Sequence, residues 1–307
     1  MNPVKGIALK LCSVVLFITM SALIKATAPH IPAGEAVFFR SFFAIPVILV
    51  WLWMRHDLHT GLKVKSPMGH FWRGFAGTTA MGLGFAGLGL LPLPEVTAIG
   101  YAAPLLVVVF AAMFLGEEVR AFRLGSVALG LVGVLIVLSP RLTAFSGPMV
   151  ETAAAVGAIL VLMGAVFSAL AQIYVRKLVQ TEQTSAIVFF FSLTATGLSL
   201  LTLPFGWEVP TGQEAMLLIG AGLLGGVGQI FLTSSYRFAD ASVVAPFDYA
   251  SMLFALLIGY FVFSEVPTTT MLLGAALVIT AGILIIWREH YLGLKRSKAR
   301  SGMTPQG

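Results

Sequence analysis

Arg40 stands within an apolar stretch, Val37-Phe38-Phe39-Arg40-Ser41-Phe42-Phe43, where an ionised side chain needs a reason to be. At membrane depth a charge costs about 2.5–3.5 kcal/mol on insertion scales, so it marks a functional group by default. A guanidinium there could aim its planar donors at an anionic or carbonyl-rich substrate. It could also snorkel outward or be tied to Glu35 or to helix carbonyls. Tyr101 and Asp248 form a second constellation with Pro104 and Pro246 beside them. Each proline removes a helix hydrogen bond, freeing carbonyls near Gly100 and Ser242 that could kink a helix or line a site. Asp248 could bind a proton or a cationic group, or be solvated at the cytoplasmic edge. Gln172 and Gln229, with Tyr174, Tyr236 and Tyr249, add uncharged hydrogen-bonding groups that could equally be helix–helix glue. The expected substrate-binding residues are therefore Arg40, Tyr101, Gln172, Gln229 and Asp248, the two charged ones for charge complementarity.

The elements that must position these groups are membrane helices. The chain is 58% hydrophobic and only 10% charged, against about 45–50% and about 25% in soluble domains. Runs long enough to cross a bilayer fall at 6–26, 34–54, 70–91, 95–115, 122–140, 152–174, 184–203, 213–235, 242–263 and 268–288. They are continuously apolar, which favours helices over the alternating strands of a barrel. An all-α membrane protein of ten transmembrane helices is the expected fold.

Those ten runs divide into two copies of one unit. At an offset of 151, Gly6 falls on Gly157, Lys25 on Arg176, Arg40 on Phe191, and Val37-Phe38-Phe39 on Val188-Phe189-Phe190. At an offset of 147, Ala98 pairs with Ala245, Tyr101 with Asp248, and Glu118-Val119 with Glu265-Val266. The expected organisation is a five-helix repeat over 1–145, a second over 146–290, and a basic cytoplasmic tail at 291–307. An odd span number inverts the second copy, the architecture of many alternating-access carriers.

Placing the amino terminus inside puts 15 of the 19 Lys and Arg at the cytoplasmic face, Arg73 among them, with only Lys25 and Arg141 outside. Both termini are then cytoplasmic, and the net charge of +6 is a topology signal that indicates no nucleic-acid partner. Lys10 is expected to snorkel from the first span, and Lys25 to pair with Glu35 across the first outer loop. Aromatic runs such as Phe189-Phe190-Phe191 read as packing or lipid-facing residues, or as stacking surfaces for a flat substrate. The first span resembles a secretory signal, but Pro29 after Ala26-Thr27-Ala28 and the matching span at 157–177 argue against cleavage. Cys12 is the single cysteine, so no internal disulfide or multi-cysteine metal site is expected.

Enzyme chemistry has little equipment here. No H-E-x-x-H, G-x-S-x-G or Walker sequence occurs, and no cofactor or metal is implied. Gly82-Leu83-Gly84-Phe85-Ala86-Gly87 and Gly220-Ala221-Gly222-Leu223-Leu224-Gly225 match G-x-G-x-x-G without a preceding strand, and read as sites where helices approach closely around a cavity.

Length, the duplicated five-span unit, Pro32-Ala33-Gly34-Glu35-Ala36-Val37-Phe38-Phe39-Arg40, Pro92-Leu93-Pro94-Glu95-Val96-Thr97-Ala98 and Leu115-Gly116-Glu117-Glu118 together resemble the EamA-type branch of the drug/metabolite transporter superfamily. The resemblance spans about residues 6 to 289. It implies a bacterial inner-membrane carrier with a cavity between its halves, lined chiefly by the first, third, fourth, sixth, eighth and ninth spans. Glu35 and Phe38-Phe39-Arg40 are similar to the pattern of riboflavin and S-adenosylmethionine uptake proteins. The expected function is a secondary carrier for a small organic metabolite embedded in the lipid bilayer, with riboflavin uptake as the leading substrate. Alternatives are S-adenosylmethionine uptake, amino-acid or drug efflux, and, in another class, a membrane-embedded enzyme or scaffold. Proton coupling would run through Asp248; oligomeric state has no sequence signal.

Overall fold

A computed structural model describes residues 3–58, 60–115, 121–142, 149–178, 181–238 and 245–301. The expectations placed on Glu117, Glu118, Arg120, Ser242 and residues 302–307 lie outside the described residues. Among the described residues the secondary structure is helical throughout: α1 (Pro3–Thr27), α2 (Ala33–Phe42), α3 (Ala44–Met54), α4 (Pro67–Leu90), α5 (Leu93–Gly100), α6 (Ala102–Leu115), α7 (Ala121–Leu142), α8 (Met149–Leu178), α9 (Thr184–Leu200), α10 (Gly212–Phe238), α11 (Ala250–Phe263) and α12 (Thr269–Ser301). The protein is an all-α, membrane-spanning bundle.

Seven helices among the described residues are long and apolar enough to cross a membrane: Val4–Thr27, Ala33–Met54, Leu93–Phe114, Leu124–Arg141, Thr152–Val175, Gly212–Leu232 and Thr269–Arg288. Thr184–Leu200 and Phe247–Phe263 are apolar but shorter. α4 is long enough, yet glycine at 69, 74, 77, 82, 84, 87 and 89 with His70, Arg73, Thr78 and Thr79 dilutes its hydropathy. Most of these small and polar residues lie where α4 packs on other helices and lines a cavity, while Phe71, Trp72 and Phe75 remain exposed on its outer face.

Two spans are broken by the same device. α2 gives way to α3 at Phe43, and α5 to α6 at Tyr101. Pro46 and Pro104 stand three residues beyond each break, and neither can donate to the carbonyl four residues back, on Phe42 and Gly100. The kink expected at Pro104 is therefore present. The ninth run differs from expectation. Its α-helix begins only at Ala250, after a 3₁₀ turn over Ala245–Tyr249, so Asp248 sits at a helix entrance and not deep in a kinked helix. The last helix also differs, continuing through the basic tail to Ser301.

In a bilayer, apolar side chains gain little by leaving lipid, so helices associate through close van der Waals fit and small residues. α7 crosses α12 at facing glycines: a Cβ on Gly133 would lie 2.8 Å from the Gly274 carbonyl oxygen, and one on Gly274 would lie 2.6 Å from that of Gly133. Backbones this close admit no side chain. Gly274→Val should therefore force the pair apart at a cost of about 1–3 kcal/mol, measured as a lower melting temperature in detergent. α1 packs on α10, α4 on α8, α2 and α3 on α9, and α5 and α6 on α8. In the cytoplasm-side connections of the expected topology, Glu182 accepts from the backbone N–H groups of Lys65 and Ser66, both at 2.7 Å. Burial opposes ionisation of its carboxyl, but these two donors and the nearby His70 outweigh it and hold the group below the usual carboxylate range.

Candidate functional site

A cavity of about 370 Å³ lies inside the bundle, within the range of roughly 300–1,000 Å³ typical of small-molecule sites. α2 contributes Arg40, α4 contributes Arg73 and Gly84, α8 contributes Gln172, α9 contributes Phe191, and α10 contributes Gln229. Gly100 and Ala103 line it from either side of the break at Tyr101. Of the five expected substrate-binding residues, Arg40, Gln172 and Gln229 line this one cavity. Tyr101 and Asp248 are not among the lining residues. The first and ninth spans, expected to line the cavity, contribute none of its wall among the described residues. The second and seventh do so instead, because Arg40 and Phe191 reach inward from α2 and α9.

Arg40 is only 3% exposed, and its Nε and Nη1 have no hydrogen-bond partner. The expected tie to Glu35 is absent. Glu35 accepts from the Glu208 backbone N–H at 3.1 Å instead. Arg73, expected among the cytoplasmic charges, is drawn into the bundle. Its Nε and Nη1 are also buried without a hydrogen-bond partner, and its guanidinium lies 3.6 Å from the Phe191 ring centroid. The Arg40 guanidinium is 5.6 Å from the same centroid. Phe191, expected as a packing residue, is the surface shared by two cations. Sequence did hold the signals: Arg73 lies inside the run 70–91, and the 151 offset sets Phe191 opposite Arg40.

The other polar expectations resolve into ion pairs. Lys10 does not snorkel; it is 1% exposed, and its Nζ meets Asp248 at 2.7 Å. α1 packs against the 3₁₀ turn, and the Lys10 side chain is almost wholly shielded there while its partner stays half exposed. Lys25 does not pair with Glu35. Its Nζ reaches Glu265 at 2.9 Å and donates to the carbonyls of Leu88 at 3.1 Å and Leu91 at 2.7 Å. Glu265 in turn accepts from the Leu93 N–H at 2.8 Å. This knot gathers the ends of α1 and α4, the start of α5 and the α11–α12 connection. Tyr101 is engaged elsewhere as well, its hydroxyl 2.6 Å from Ser251 Oγ and its ring 5.0 Å from that of Tyr249. Among the described residues no cluster of three His, Cys, Asp or Glu side chains could hold a metal ion.

The EamA-like transporter family model matches residues 4–139 and again 155–287. The chain belongs to that family. It is similar to the pseudopaline exporter of Pseudomonas aeruginosa, 31% identical over 91% of this chain and 95% of that one. It is also similar to the S-adenosylmethionine uptake transporter of Rickettsia felis, 27% identical over 92% and 93%. A solved crystal structure superposes with a TM-score of 0.66 at 20% identity, covering 95% of this chain and 99% of the other, a likeness of fold. The protein is thus a multi-pass inner-membrane transporter of small molecules, and not an enzyme.

Proposed function

We propose that this carrier moves a small organic metabolite by alternating access, its two halves rocking about the cavity that holds Arg40, Gln172 and Gln229. The observation that carries the reading is that the cavity draws walls from both copies of the repeat. The helix pairings support an inverted duplication: α1 on α10 and α4 on α8 join the first span of each copy to the third of the other. In this reading the ten runs all cross the membrane, the repeats divide near 145, and both termini face the cytoplasm as the basic residues favour. The named relatives favour S-adenosylmethionine uptake or metabolite efflux over riboflavin uptake. Alternating access is reversible, and gradients set the net direction.

Proton coupling through Asp248 loses the burial on which it rested, since that side chain is 52% exposed and paired with Lys10. Counterflow into proteoliposomes tests the carrier reading. Vesicles preloaded with unlabelled S-adenosylmethionine, a dicarboxylate, an amino acid or riboflavin should take up the matching label saturably for one of them. Flux equal to that of empty liposomes for all four would contradict it.

A further inference from the structure

Resting on the carrier reading, we infer that the cavity is a clamp for an organic dianion, a small dicarboxylate held between Arg40 and Arg73 against the face of Phe191. Both guanidiniums carry buried, unbonded nitrogens and lie near one ring. No Asp or Glu is among the described residues that line the cavity. Two like charges buried side by side without an acidic partner are costly, and an aromatic face offsets only part of that cost.

The backbone reserves room for the arrangement. A Cβ at position 77 would stand 2.9 Å from Arg73 Nη1 and 2.8 Å from Phe191 Cε2, and one at position 225 would stand 3.1 Å from Arg40 Nε. Glycine at both places lets the two guanidiniums lie where they do.

The missing partners are acceptors with negative charge. A carboxylate fills the fork of one guanidinium with two parallel bonds. One carboxylate leaves the second arginine bare; two satisfy both. Gln172, Gln229 and Ser168 offer neutral hydrogen bonds, while Met81, Val96 and Val161 supply apolar wall, which suits a carbon skeleton better than an inorganic ion. S-Adenosylmethionine, with a sulfonium and an ammonium against one carboxylate, would add net positive charge to this wall.

The test is calorimetric titration of the purified full-length protein in lipid nanodiscs with succinate and 2-oxoglutarate, against succinamate, phosphate, sulfate and S-adenosylmethionine. The clamp predicts that a dicarboxylate binds at least ten-fold tighter than its half-amide and than either inorganic anion. Arg40→Gln and Arg73→Gln should each weaken dicarboxylate binding at least ten-fold, with Arg40→Lys only partly restoring it. Unliganded Arg73→Gln should melt no lower than the parent, because it removes an uncompensated charge. Phosphate or sulfate binding as tightly as the dicarboxylates would overturn the proposal, as would parental affinity in both glutamine variants. Tight S-adenosylmethionine binding indifferent to Arg73→Gln would overturn the clamp yet leave the carrier standing. Normal dicarboxylate binding without counterflow of any solute would instead sink the carrier reading.

Discussion

Lys25→Met is expected to lower transport at least ten-fold while the protein remains in the membrane at near-parental abundance, and Glu265→Gln is expected to do the same. The Lys25 ammonium joins one carboxylate and two helix-terminal carbonyls, with both side chains of the ion pair mostly shielded from solvent. A hydrogen bond to a charged group contributes about 1.5–3 kcal/mol. Its location decides what that energy does. Along α4 the cavity wall runs from Arg73 to Gly84, and Leu88 lies beyond it, about 6 Å further by helical rise, with Leu91 just past the helix end. The knot thus lies toward the end of the bundle opposite Gln172. In the proposed alternating-access cycle it opens and re-forms, and a loss of about 1.4 kcal/mol shifts that equilibrium ten-fold. Transport per unit of protein in proteoliposomes checks it; parental rates in both variants would show that the knot is structural only.

Asp248→Asn should destabilise the protein and reduce transport at every pH, without a selective loss of pH-driven accumulation. Its partner Lys10 is buried, whereas Asp248 is half exposed. Removing the carboxylate weakens the neutralisation of a charge almost wholly shielded from water, a loss that Lys10→Met does not incur. The double variant Lys10→Met with Asp248→Asn should melt higher than Asp248→Asn alone, with a coupling energy of roughly 0.5–3 kcal/mol for groups in contact. Melting curves of the four proteins in one detergent measure it. Additive effects would remove the pair from the account.

How far the chain could be read unaided differs from residue to residue. The helical, membrane-spanning character was legible because bilayer solvation acts on composition and span length, which sequence states directly, and the family through the resemblance carried by the duplicated unit and the segments at 32–40 and 92–98. Arg40, Gln172 and Gln229 were legible for the same reason, since polar groups stand out in apolar runs. Arg73 was not recognised because a basic residue near a span end is ordinarily a topology anchor, and only packing shows it turned inward. Phe191 looks like any packing aromatic until the two guanidiniums appear over its ring. The Lys10–Asp248 and Lys25–Glu265 partners lie more than two hundred residues apart in sequence, and no local spacing connects them. The break at Phe43 was legible in principle, since Pro46 has the same relation to it that Pro104 has to Tyr101.

The central claim, a single cavity reached alternately from the two faces, is tested most directly by a cysteine at position 172. Cys12 is the chain's only cysteine and is exposed, so Cys12→Ser gives a clean background for Gln172→Cys. Reaction with a membrane-impermeant maleimide is then timed from the cytoplasmic face in inside-out vesicles and from the outer face in spheroplasts, with and without Lys25→Met. The account predicts fast labelling from the cytoplasmic face and slow labelling from outside in the parent, with the outer rate rising at least ten-fold once Lys25 is replaced. An unreactive cysteine from both faces, or a pattern that Lys25→Met leaves unchanged, would contradict it.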